Sequence, residues 1–259
     1  MADFGLIETI KVVNGRLIFK NLHVKRLFNS LKVINVDETE YKVEDRMLRL
    51  LKYECIEKGL KNFRLRLEVQ KNRAHEYMPE ISALKWNCTL RPLESVKYVL
   101  NETGLKITLL PKHKKHLDIF ANLKHTDRAI YDAAINYARQ HDFDDALVLN
   151  DNDTIADASI YNVFIVKDGV VYTPPLSDGP VAGVLRELLL TRLPDTKIIE
   201  QTISIKELYN ADEIFLTNAL RGIRWVEFLD EKRLGNYKTK AIFDEFKAVV
   251  FEHFGEHLV

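Results

Sequence analysis

Two dipeptides, Asn14-Gly15 and Asp168-Gly169, each interrupt a run of alternating apolar residues. Both central positions of a two-residue hairpin turn need positive φ, which Asn-Gly and Asp-Gly supply at low cost. The chain is therefore committed to antiparallel strands near its start and again beyond its middle. Leu6 to Phe19 alternate around the first turn, while Asn162–Lys167 and Val170–Thr173 flank the second. Further strands are expected at Phe63–Gln70, Ile81–Leu90, Leu105–Leu110 and Ala146–Asn150. In the first of these, Arg64 and Arg66 alternate with Phe63, Leu65 and Leu67, so one face is apolar.

Helical spacing separates these strands. Leu22, Leu27, Leu31 and Ile34 predict one helix, and Met47, Leu48, Leu51, Cys55 and Ile56 a second. Thr126 is placed to cap a third, with Ile130, Ala134, Tyr137 and Ala138 facing the core. Another should begin near Pro180–Gly183 and run through Leu193, and the last covers Lys240–Phe254. The stretch Pro111 to Asn122, with Lys112, His113, Lys114, Lys115 and His116, is polar and aperiodic and predicts an interdomain linker. This divides the chain into a domain at 1–110, a linker at 111–122 and a domain at 123–259. Charge follows the division: residues 1–120 hold 23 basic and 15 acidic side chains, and residues 121–259 hold 15 and 23. A basic domain can attract an anionic ligand.

Composition removes several functions. With 38 basic and 38 acidic residues, net charge gives no reason to invoke nucleic acid or an anionic membrane. No apolar run approaches the roughly 18 residues of a membrane span, no secretory signal opens the chain, and two cysteines make no disulfide framework. A cytoplasmic protein is expected. Eight scattered histidines and the distant pair Cys55 and Cys88 lack the spacing of a zinc site, so no metal is expected. The Walker phosphate loop, the nucleophile elbow and the dinucleotide fingerprint are absent from the sequence.

What remains is an ordered set of short patterns. Lys124 lies in Asn122-Leu123-Lys124-His125-Thr126-Asp127-Arg128, where a partly dry amine could form an imine. Asp157 sits among small residues just before a strand, where an ordinary turn is the alternative. Gly179-Pro180-Val181-Ala182-Gly183-Val184-Leu185-Arg186 reads as a loop feeding a helix N-terminus, whose unpaired amides favour a phosphate.

In order, from about Phe4 to Val226, these patterns resemble the fold type IV pyridoxal-phosphate enzymes. That family comprises branched-chain and D-amino-acid aminotransferases and 4-amino-4-deoxychorismate lyase. Phe4-Gly5-Leu6-Ile7-Glu8-Thr9 is similar to the family's opening strand, and His23-Val24-Lys25-Arg26-Leu27 to its His-x-x-Arg-Leu helix. The resemblance implies an α+β architecture: a small α/β domain and a larger domain built on a β-barrel-like sheet. It implies pyridoxal phosphate as cofactor, with Lys124 carrying it, Arg26 on its phosphate and Asp157 facing the ring nitrogen. Val184 and Leu185 would offer backbone amides to the phosphate, as would Asn218 and Ala219 in a second loop. The family has Glu where this chain has Asp157, and Thr where it has Leu185.

Within the family, Lys124-His125 followed by Arg128 is similar to the Leu-Lys-His-x-x-Arg run of aminodeoxychorismate lyases, and Ala129 stands where branched-chain aminotransferases have tyrosine. Arg73-Ala74-His75 instead resembles the carboxylate trap of D-amino-acid aminotransferases, making Arg73 and His75 substrate candidates. The resemblance implies a small amino substrate bearing carboxylate, with a lyase favoured over an aminotransferase or a non-catalytic homologue. It also implies a two-fold homodimer, because family members complete the site at a subunit contact.

Overall fold

The computed structural model describes residues 4–53, 57, 59–72, 84–93 and 95–259. They form two compact units: residues 1–96 with 123–127, and residues 97–122 with 128–259. The chain thus changes unit earlier than the polarity of residues 111–122 suggests, and returns briefly to the first unit around Lys124.

The first unit is a four-stranded sheet with two helices, in which the first strand of the chain pairs with the second on one side and the third on the other, and the third with the fourth. Strand β1 (Gly5–Val13) turns through Asn14 and Gly15, both at positive φ, into β2 (Arg16–Leu17). Helices α1 (Lys20–Val33) and α2 (Glu40–Leu51) follow, then β3 (Phe63–Lys71) and β4 (Leu84–Arg91). Register places Leu6, Glu8, Ile10 and Val12 beside Val69, Leu67, Leu65 and Phe63. That face is buried, and α1 adds His23, Val24, Leu27 and Leu31 to it. Arg64, Arg66 and Arg91 occupy the opposite face, as period-2 alternation requires. Helix α2 ends before Cys55 and Ile56, which lie outside the described residues, and Leu48 is exposed. Residues 123–127 join the edge of β1, with Ile7 N donating to Lys124 O at 2.7 Å and Thr126 N to Gly5 O at 2.8 Å.

The second unit is built on a closed ring of strands. Its elements are β5 (Leu105–Lys115), α3 (Ala129–Gln140), β6 (Asp145–Asn150), β7 (Ile155–Ala158), β8 (Asn162–Lys167) and β9 (Val170–Thr173). Then come α4 (Val184–Arg192), β10 (Ile198–Glu200), α5 (Ile205–Asn210), β11 (Glu213–Asn218), β12 (Gly222–Leu229), β13 (Lys232–Arg233) and α6 (Tyr237–Phe254). Strands β8, β11, β12, β5, β6 and β7 pair in sequence, and the Asp157–Asn162 bridge returns β7 to β8. Closure removes the edges that an open sheet would leave unpaired. Ile107, Leu147, Val163, Ile165, Ile214, Leu216 and Val226 pack in its core. Tyr131, Ala134 and Ala138 of α3 pack outside against Leu110, Ala146 and Val148.

The expected linker proves to contain the end of a strand. Between Leu109 and Lys114 the β5–β6 register shifts, with Lys112 at φ 65°, after which Lys114 and Lys115 pair with Leu149 and Asn150. A bulge of this kind breaks the alternation by which a strand is recognised. Thr126 likewise is not the cap of α3, which begins after Arg128; its Oγ1 accepts from Gly5 N at 3.0 Å.

Candidate active site

The first unit gathers Glu8, His23, Arg26 and Lys124. Glu8 points from β1 toward α1, where residues 23 and 26 lie one turn apart on one face. Arg26 donates from Nε at 2.8 Å and from Nη2 at 2.5 Å to the two carboxylate oxygens, and His23 Nδ1 lies 2.6 Å from Oε2. Glu8 is 1% exposed and His23 fully buried. Burial alone would raise the carboxyl of Glu8, but Arg26 and then His23 more than offset it and hold the pKa at about 2. Burial, with opposition from Glu8 and help from the Arg26 and Lys124 charges, lowers His23 below its ordinary value. The 2.6 Å contact is therefore a neutral imidazole donating its Nδ1 proton, and Nε2 is left as a buried acceptor with no hydrogen-bond partner. Lys124, half-buried, lies close enough for its charge to bear on His23.

The second unit gathers its polar groups where the strand ring closes. Asp157, for which an ordinary turn was the alternative reading, lies in strand β7 and is 2% exposed. Its Oδ2 accepts from Lys115 Nζ at 3.1 Å, the Tyr131 hydroxyl at 2.9 Å and Val181 N at 2.9 Å, and its Oδ1 from Asn162 Nδ2 at 3.0 Å. Lys115 Nζ also donates to Tyr131 Oη at 2.5 Å. Burial first, and Asp157 second, push the Tyr131 phenol well above its ordinary value, so it stays a proton donor. A Cβ on Gly183 would stand 1.7 Å from Asn162 Oδ1, so only glycine admits this approach just before α4. Val184 and Leu185 form the first turn of α4, where backbone amides lack helical partners and the Gly183 cap offers no side chain. At the end of β11, Asn218 Oδ1 accepts from Leu220 N and Arg221 N, and in the loop that follows Ala219 O accepts from the Tyr98 hydroxyl. Thr217 Oγ1, at the end of β11, is buried without a hydrogen-bond partner.

Of the residues the sequence assigns to one cofactor site, Arg26 and Lys124 lie in the first unit, and Asp157, Val184, Leu185, Asn218 and Ala219 in the second. Sequence reasoning missed Glu8, His23, Lys115, Tyr131 and Asn162 as the groups that hold them. An acid within the apolar run Leu6–Ile10 was a legible signal for Glu8; Lys115 carried none. Arg186 serves the scaffold, donating to Pro174 O at 2.8 Å and to Glu200. Arg73 and His75 lie outside the described residues. Among the described residues no group of three His, Cys, Asp or Glu could hold a metal ion, and no helix is long and apolar enough to cross a membrane.

The sequence profile of the family described as amino-transferase class IV matches residues 5–227, and the chain belongs to that family. Its members are pyridoxal-phosphate-dependent aminotransferases and lyases, and this chain is such an enzyme. Among solved structures, it is similar to the branched-chain amino acid aminotransferase of Escherichia coli, with 20% identity and a TM-score of 0.77 over 95% of this chain and 85% of that one. The 4-amino-4-deoxychorismate lyase of Pseudomonas aeruginosa matches with 22% identity and a TM-score of 0.74 over 97% and 92%. The branched-chain aminotransferase of Thermoproteus uzoniensis matches with 24% identity and a TM-score of 0.76 over 97% and 87%. These likenesses establish the fold, which the family calls type IV. The residues fit the cofactor: the amides at the start of α4 and the unpartnered Thr217 hydroxyl suit a phosphate, and Asp157 Oδ1 keeps acceptor capacity.

Proposed function

We propose that the protein is a lyase that converts 4-amino-4-deoxychorismate to 4-aminobenzoate and pyruvate. The observation that carries this choice within the family is the run Leu123-Lys124-His125-x-x-Arg128 with Ala129, not tyrosine, five residues after the lysine. Pyridoxal phosphate, when bound, supplies a sink for the electron pair released at the substrate carbon bearing the amine. Lys124 Nζ would hold the cofactor covalently, and as a free amine it would take the proton from that carbon. The same Nζ returns a proton to the departing enolpyruvyl group, which leaves as pyruvate. Asp157 Oδ1, which receives the Asn162 amide, would accept a further hydrogen bond from the ring nitrogen. The amides of Val184, Leu185 and Ala219 and the Thr217–Asn218 segment would hold the phosphate, and the family resemblance gives the same task to Arg26, whose Nε and Nη2 are fixed on Glu8.

A dicarboxylate substrate calls for cations. Arg64, Arg66 and Arg91, with Thr89, line a cleft of about 200 Å³ on the polar face of the first unit's sheet. Arg73 and His75 remain further candidates for the same task. In a coupled assay, purified protein is expected to release pyruvate from 4-amino-4-deoxychorismate with no 2-oxo-acid-dependent amino transfer. Transamination of D-alanine or a branched-chain amino acid, with no pyruvate released, would establish an aminotransferase instead. Colourless, inactive protein would establish a non-catalytic homologue.

The working form is a cytoplasmic two-fold homodimer, as an isologous contact between copies of one chain provides. Sedimentation of the active protein is expected to give twice the chain mass of 30.1 kDa, and an active monomer would refute the assembly.

A further inference from the structure

Asp157 is held unevenly. Three donors meet its Oδ2, from Lys115, Tyr131 and Val181, whereas Oδ1 receives only the Asn162 amide. A carboxylate oxygen offers about two acceptor positions, so Oδ2 is saturated and the remaining capacity lies on Oδ1. Lys115 is itself 6% exposed, and its ammonium is spent on the carboxylate and the Tyr131 oxygen. Lysine is almost never buried unless paired, and an apolar residue would fill such a place with a smaller desolvation cost. The ion pair therefore calls for a reason beyond packing.

We infer that Lys115, acting with Tyr131, is a positioning residue that moderates Asp157, turning Oδ1 toward the cofactor's ring nitrogen and offsetting part of the carboxylate's charge. The inference rests on the placement of Asp157 opposite that nitrogen. An anion already paired at 3.1 Å pulls less strongly on a further proton than an isolated one, because the two charges oppose each other at any third point. The ring nitrogen is thus held, but with reduced force. A moderated electron sink suits elimination: aromatisation of the product supplies driving force that an aminotransferase half-reaction lacks.

The test compares two probes on apo-protein: pyridoxal phosphate and its 1-deaza analogue, in which the ring nitrogen is replaced by C–H. The ratio of their dissociation constants at pH 8 isolates the contribution of the nitrogen, since loss of phosphate contacts or general loosening weakens both probes alike. Wild-type protein is expected to prefer pyridoxal phosphate. Lys115→Met is expected to enlarge that preference by about tenfold, while Lys115→Arg, which keeps the charge, remains within about threefold of wild type. If the methionine variant does not fold, Lys115→Gln carries the same comparison. A preference that is unchanged or reduced in the neutral variants would overturn the role of Lys115. Equal binding of both probes by wild-type protein would instead overturn the placement of Asp157, and the inference with it.

Discussion

Lys124→Ala is expected to abolish turnover, with a loss of at least about a thousandfold, and to remove the visible absorbance of the cofactor-loaded protein. The fold should survive. Residues 123–127 join the first unit through backbone hydrogen bonds, Lys124 O accepting from Ile7 N and Gly5 O from Thr126 N, and alanine keeps both. Far-ultraviolet circular dichroism of the variant should match wild type, and cofactor can still bind through its phosphate. Turnover within about tenfold of wild type would mean that another group moves the proton.

Glu8→Ala is expected to cost about 3–5 kcal/mol of stability, read from urea unfolding at pH 7. The substitution leaves the Arg26 guanidinium, with 9% of its side chain exposed, and the buried His23 without their shared acceptor. Depression of the Glu8 pKa from 4.5 to about 2 independently corresponds to about 3 kcal/mol at neutral pH. Both shifts have the same sign. Glu8 and His23 each have a folded pKa below the unfolded one, so folded protein binds fewer protons and stability is lost as pH is lowered. The His23 contribution begins to fade below about 6.5, and the Glu8 contribution is lost between 4.5 and about 2. Glu8→Gln should flatten the lower of these windows. A loss under about 1 kcal/mol in Glu8→Ala would show that the cluster is solvated.

Most strands and helices were legible because their patterns are local. The Asn14-Gly15 and Asp168-Gly169 turns adopt the positive φ values their residues favour, and β8 and β9 fall where the alternation puts them. Long-range features were hidden. Lys115 stands in a run of basic residues that reads as solvated, and the bulge at Lys112 conceals the strand that buries it. Asp157 looks like a turn residue because β7 has only four residues and exists through its partners on either side. Tyr131 belongs to the buried face of α3 together with Ala134 and Ala138, but Ile130 and Tyr137 suggest a face turned slightly away from it. For Lys124, Arg26 and the start of α4, order along the chain was more informative than any local pattern, since each segment alone resembles an ordinary helix start or surface loop.

On the proposed reading Lys124 carries the cofactor, and borohydride reduction of the loaded protein followed by peptide mapping identifies the amine that does. Reduction fixes the pyridoxyl group to whichever amine holds it. The label is expected on the peptide containing Lys124, and none on the buried Lys115, whose ammonium is committed to Asp157 and Tyr131. A label on Lys115, or on any lysine other than Lys124, would contradict that reading.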